Sequence, residues 1–311
     1  MKKQLMLLIF SFALTANTQT ISANTENPIF STDININEIQ NQDLTIPLPQ
    51  IQEDKGLVYD AIFGWDPDSP FSKHQRPAII ASNSNDLIEI QNTRWGYTPE
   101  GQTIWETSYI NPKLLDKVYY GAKDRETGHT LFIFVFKPGG FVNSKGEDGV
   151  ALTIGAEGWY REDPGYSPID GMKDRYPLIF KAATISDYAN YVIKKEKQDL
   201  FLRTVNLNKK QELQLLEKVT ERIIKNNNSR EMYHTLTNSC TIVPVQIYNS
   251  ILPEKFKIKT KVLFGITNIN ATMPSFVLKR YIKNGFVNEN SVIEINADNV
   301  DIFDFLNLKY R

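Results

Sequence analysis

Cysteine is almost missing from this chain: Cys240 stands alone among 311 residues, so no internal disulfide can form. Histidine is nearly as scarce, with only His74, His129 and His234. Neither type clusters at metal-ligand spacing, no glycine-rich phosphate loop occurs and no internal repeat is found, so no metal and no cofactor is expected. An excess of charge of one sign is also lacking. The formal net charge is −1, which leaves no basic surface for a nucleic acid partner. Past the amino terminus no segment approaches the roughly 18 consecutive apolar residues of a membrane helix. What is present, 41% hydrophobic and 23% charged residues, is the balance of an ordinary globular protein.

The first residues read as an export signal. Met1-Lys2-Lys3 is basic, and Leu5 to Ala16 is an apolar core of a dozen residues, too short to span a bilayer. Small residues suited to cleavage stand at Ala16 and Ala23, and no cysteine follows the core, so neither a lipid anchor nor a transmembrane helix is expected. The expected location is periplasmic or secreted. The expected organisation is a signal peptide over 1–23, a polar leader or arm over 24–53, and a single domain over 54–311.

An unpaired thiol is a liability in an oxidising compartment, which favours a use for Cys240 over an inert buried role. The residue closes the stretch Tyr233-His234-Thr235-Leu236-Thr237-Asn238-Ser239-Cys240 and leads into an apolar, helix-like segment. A helix start favours thiolate over thiol and would lower the cysteine pKa. Pro244, comfortable only in a first helical turn, moves the expected start toward Thr241. The base preferred for the thiol is His129, which opens Thr130-Leu131-Phe132-Ile133-Phe134-Val135-Phe136, a buried-strand pattern. His234 is the alternative base, and His74 lies in a polar loop.

These residues resemble a known family. Gly128-His129-Thr130 before an aromatic strand, Leu202-Arg203-Thr204-Val205-Asn206-Leu207, a charged helix, and Tyr233 to Thr241 look like the Lnb amino-terminal periplasmic domain family. The resemblance covers roughly Leu114 to Phe286, with Asn-Ser-Cys-Thr where the family usually shows Asn-Asn-Cys-Thr. It implies a circularly permuted papain-like fold of the NlpC and lecithin:retinol acyltransferase type, in which a strand-borne His precedes a helix-borne Cys. It also implies a thiol hydrolase or acyltransferase acting on an envelope lipid, a lipoprotein or a peptidoglycan fragment, with a membrane surface as a further partner. Hydrolase and transferase stay open, and so does a non-catalytic envelope protein of the same fold.

A third member of the site follows from strand pairing. Gly149 to Glu157 reads as a strand returning antiparallel to the His129 strand, and facing Phe136 with Val150 sets Glu157 opposite His129. Glu157 would then orient the imidazole, with Thr153 as its competitor on that strand. Trp159 and Tyr160, near Tyr166 and Tyr176, either line a substrate groove or cover the core. Asn238 either aims its amide at the reacting centre or caps the next helix.

The remaining chain is expected to supply short strands between Leu57 and Trp105 and turn residues at Asp66 and Asp68. A short helix is expected over 186–196 and a strand over 200–207. An Asn208–Gln211 capping box then opens a long helix. Further expectations are a strand over 256–264, a Pro274 helix ended by Gly285, and a last strand over 291–295. The fold class is therefore α+β, an antiparallel sheet packed on helices with a strand-rich amino-terminal extension.

Overall fold

The computed structural model of the chain describes residues 75–123, 128–160, 165–229, 231–261 and 267–309. The expected signal peptide, the arm, His74 and the Asp66–Asp68 turn lie outside them. Eleven strands form one sheet, β1 to β11 in chain order: Ile79–Asn83, Ile88–Tyr97, Thr103–Ile110, Leu115–Lys123, Thr130–Phe136, Phe141–Asn143, Ala151–Gly158, Tyr176–Thr184, Leu200–Thr204, Met232–Tyr233 and Ile293–Ile295. The order across the sheet is β11-β9-β4-β5-β7-β8-β2-β3-β6, with β1 added to β2 and β10 to β8. Every pairing is antiparallel except that of β2 with β8, so the sheet is mixed rather than purely antiparallel. Through that parallel contact the amino-terminal strands join the main sheet instead of forming an appendage.

The central strand β5 is buried at every position, which is why its sequence is apolar without alternation. Successive side chains nonetheless point to opposite faces. Phe132, Phe134 and Phe136 belong to the larger core cluster, with Leu216, Val219 and Ile223 of one helix and Val245 and Tyr248 of another. Leu131, Ile133 and Val135 belong to a smaller cluster with Ile185, Tyr188, Val192, Val300 and Leu308. Burying a side chain of this size contributes roughly 1.5–3 kcal/mol.

Five α-helices are described: α1 Pro168–Gly171, α2 Ile185–Asn190, α3 Lys209–Ser229, α4 Ile242–Ile251 and α5 Pro274–Lys283. The expected short helix over 186–196 is α2 followed by a π turn, Tyr191–Lys195. At the head of α3 the Gln211 N–H donates to Asn208 Oδ1 at 3.0 Å while the Asn208 N–H donates to Gln211 Oε1 at 3.1 Å, the reciprocal capping box. Helix α4 begins with Thr241 in the cap position, and Pro244 falls in the first turn, where a missing N–H costs no helical bond.

One expected element is corrected. Of the strand expected over 256–264, residues 256–261 are described, and they are not a strand. Glu254–Phe256 is a 3-10 turn, and only Lys261 makes an isolated bridge, to Thr267. The reason is Asn249. Its amide donates to the Ile258 carbonyl at 2.8 Å and accepts from the Ile258 N–H at 2.9 Å, taking the place of a neighbouring strand.

The larger cluster holds an unusual group of rings, in which Tyr248 lies 4.9 Å and Tyr281 4.8 Å from Phe286. The hydroxyls of Tyr248 and Tyr281 are buried without a hydrogen-bond partner among the described residues. A buried hydroxyl left unpaired costs about 1–3 kcal/mol. Tyr248→Phe and Tyr281→Phe are therefore expected each to raise stability, by about 1 kcal/mol, in urea unfolding monitored by circular dichroism. A loss of stability in either variant contradicts the unpaired state of that hydroxyl.

Candidate active site

The pairing of β5 with β7 runs Phe132↔Ile154, Ile133↔Thr153, Phe134↔Leu152 and Val135↔Ala151, and the Phe136 N–H donates to the Val150 carbonyl at 3.0 Å. This is the register expected from the sequence, and continued by three residues it faces His129 with Glu157. The imidazole Nε2 stands 3.4 Å from Glu157 Oε1. It lies directly over Gly155, where a Cβ would come within 2.7 Å of Nε2. Thr153 is occupied elsewhere, its hydroxyl donating to the Ala183 carbonyl at 3.0 Å.

Glu157 is held from its other oxygen. Oε2 accepts from Lys181 Nζ at 2.8 Å and from Gln75 Nε2 at 2.9 Å. Oε1 and Nε2 have no hydrogen-bond partner among the described residues, so their contact is electrostatic. A second ion pair, Lys123 Nζ to Glu196 Oε2 at 2.6 Å, stands close by. Burial pushes the His129 pKa down to about 3; the Glu157 charge opposes this and the Lys123 and Lys181 charges add to it. Burial would raise the Glu157 pKa, yet Lys181, His129 and Lys123 outweigh it and hold the carboxyl at about 2. His129 is thus a neutral base beside an ionised carboxylate.

Cys240 arrives at the same end of the sheet. The Thr130 hydroxyl donates to the Cys240 carbonyl at 2.6 Å, tying the residue after His129 to the cysteine main chain. Strand alternation gives Thr130 the face on which α4 packs and His129 the opposite face, with Leu131, Ile133 and Val135. The polar neighbours of the sulfur are the hydroxyls of Tyr233 and Thr241, each at 4.0 Å. No hydrogen bond joins the sulfur to His129 among the described residues. The expected lowering of the thiol pKa is also corrected. Burial pushes it up, against the Tyr233 and Thr241 hydroxyls, and α4 starts only at Ile242.

The other candidates separate clearly. His234 is turned into its own loop, its Nδ1 accepting from the Leu236 N–H at 3.2 Å. Asn238 neither caps α4 nor presents a spare amide: it donates to the Met232 carbonyl at 2.9 Å and to Glu231 Oε2 at 3.2 Å. The capping role falls to Ser239, whose hydroxyl accepts from the Thr241 and Ile242 N–H groups at 3.4 Å. Trp159 is a core residue, 1% exposed. Tyr160 packs with Tyr166 and Tyr176, and Tyr166 continues to Tyr233 with ring centroids 6.0 Å apart, so a wall of tyrosines ends at the cysteine.

Sequence reasoning missed Lys181, Gln75, Lys123, Thr130 and Tyr233. Lys181 left a readable sign, a lone charge inside the apolar strand Leu178-Ile179-Phe180-Lys181-Ala182-Ala183. A cavity of about 310 Å³ opens between Trp95, Tyr97, Asp187, Asn190 and Lys195, and neither Cys240 nor His129 lines it.

The buried pair has an acid signature. His129 binds fewer protons folded than unfolded between pH 6.5 and about 3, and Glu157 does so between pH 4.5 and about 2. Stability therefore rises with pH through both windows and is lost as pH falls through them, at about 1.4 kcal/mol per pH unit for each group. Urea unfolding between pH 7 and 4 is expected to show this fall, and His129→Gln to flatten it. Parallel curves for the two proteins contradict the assignment to His129.

Residues 104–272, more than half of the chain, match the family described as the Lnb N-terminal periplasmic domain. No curated protein and no solved structure matches the chain. Among the described residues no helix is long and apolar enough to cross a membrane.

Proposed function

Because the chain belongs to the Lnb N-terminal periplasmic domain family, we propose that this periplasmic domain is a thiol-dependent hydrolase or acyltransferase acting through a thioester on Cys240. The observation that carries the reading is the Thr130–Cys240 hydrogen bond, which ties the main chain of the only cysteine to the first residue of the strand that follows His129, itself in contact with Glu157 of β7. The order of the parts, a histidine just before a strand and, later in the chain, a cysteine in the loop just before a helix, supports a circularly permuted papain-like fold of the NlpC and lecithin:retinol acyltransferase type. The substrates proposed are amides or esters of the envelope, carried by a lipid, a lipoprotein or a peptidoglycan peptide.

In the first half-reaction His129 takes the thiol proton, the sulfur attacks the acyl carbonyl, and the proton passes to the leaving group as its bond to carbon breaks. In the second, water or an amine gives its proton to His129 and attacks the thioester, and the sulfur leaves with the proton returned. The Cys240 backbone N–H is one donor to the oxyanion. Nε2 faces Glu157, so Nδ1 is the edge that meets the sulfur. Direct transfer needs the two within about 3–4 Å. Substrate binding supplies that approach in this reading, and the resting pair is a neutral thiol and a neutral imidazole.

A specific observation favours a second reading. The missing sulfur–imidazole hydrogen bond and the raised thiol pKa suit a non-catalytic envelope protein that keeps the fold. Mass spectrometry of the intact protein with an activated acyl ester separates the two. The enzyme reading expects an acyl adduct on Cys240, absent in Cys240→Ala and formed at least about tenfold more slowly in His129→Ala, the usual size of a general-base contribution being 10²–10⁴. Equal rates in wild type and His129→Ala establish the second reading.

Glu157→Gln is expected to keep the fold and to lower turnover of the same ester more than it raises KM, since the carboxylate stabilises the imidazolium formed in the reaction. An unchanged turnover removes Glu157 from the mechanism. In the resting protein, alkylation by iodoacetamide is expected to be slow at pH 7 and to rise with pH past the ordinary thiol range near 8.5, because burial holds the thiol protonated.

A further inference from the structure

We infer that Lys181, together with Gln75, is a positioning residue for His129: both hold Oε2 of Glu157, so that Oε1 is the oxygen left against the imidazole and the ammonium cancels the carboxylate charge. The inference deepens the thiol-enzyme reading and rests on it for its functional meaning, while its geometry stands apart from the cysteine.

Lys181 is 6% exposed in the middle of β8, between Phe180 and Ala182. Burying an ammonium and a carboxylate costs several kcal/mol per ion, which their attraction rarely exceeds, so a pair kept for stability alone is poorly explained. The details point to orientation instead. Lys181 Nζ reaches Oε2 at 2.8 Å and lies 5.2 Å from the Tyr191 ring centre, which fixes its approach from the far side. Gln75 donates to the same oxygen at 2.9 Å and to the Gly158 carbonyl at 3.4 Å, and accepts from the Tyr160 N–H at 3.5 Å. Both strong donors therefore converge on Oε2. Gly155, lacking a Cβ, leaves room for the ring, whose Nε2 would lie 2.7 Å from such an atom.

The charges around the imidazole sum to zero. Glu157 faces it from β7, Lys181 from β8 and Lys123 from β4, with Glu196 after the π turn paired to Lys123. Tyr188 and Tyr191 are the neutral groups of the helical side, and Cys240 stands in the loop before α4. Farther off, Arg94 and Asp187 neutralise each other at 3.1 Å. Removing Lys181 leaves Glu157 uncompensated, and its field draws a proton onto His129. A protonated imidazole cannot accept the thiol proton, so the acid limb of the reaction moves up in pH.

The test is the NMR titration of the His129 ring in the full chain, assigned with His129→Gln. In Lys181→Met the midpoint is expected to rise by about one pH unit or more, the scale of a lost charge at this range, and Lys181→Arg is expected to restore it. Gln75→Leu should slow Cys240 acylation without moving the midpoint, since it removes a donor and no charge. Lys181→Gln serves if the methionine variant does not fold by circular dichroism. A midpoint unmoved in a folded variant lacking the charge overturns the inference, as does an equal rise in Lys181→Arg. Failure of wild-type Cys240 to form an acyl adduct sinks the enzyme reading instead, and the titration distinguishes the two failures because it needs no turnover.

Discussion

The pairing of β5 with β7 is the constraint on which the candidate site depends. Side chains alternate along both strands, so a slip of one residue would send Glu157 to the other face and leave His129 beside a different group. Phe132 and Phe134 fill one face and Ile133 and Val135 the other, each pair packed into its own cluster. A core that is apolar on both faces thus sets the position of a polar pair at its end.

Cys240 depends on that strand in a different way. It is held through Thr130, one residue from the histidine and on the opposite face. Thr130 thus ties the Cys240 main chain to the end of the sheet where His129 stands. Burial keeps both the thiol and the imidazole uncharged. The tyrosine wall from Tyr160 to Tyr233 ends at the cysteine.

Much of this was legible in the sequence where a local rule had no competitor. The capping box at Asn208, the buried run from Thr130 to Phe136, and the helix between Pro274 and Gly285 each follow from short-range pattern. The strand expected over 256–264 failed because one side chain, Asn249, satisfies the Ile258 backbone that a strand would otherwise need to pair. Cysteine acidity failed for another reason: the helix-start argument fixes a direction but ignores how much water the sulfur loses. Lys181 and Gln75 act on Glu157 from distant parts of the chain, and no local pattern encodes which buried lysine faces which carboxylate.

Gly155 carries a consequence for how such chains are inherited. The imidazole rests where a single added carbon would stand, so one methyl group at that position displaces the ring while the thiol and the histidine both persist in the sequence. A descendant bearing alanine there would keep both residues and lose the placement of the ring beside Glu157. The presence of cysteine and histidine is therefore not a sufficient mark of this geometry among relatives of this protein. The bare position two residues before the carboxylate has to be read with them.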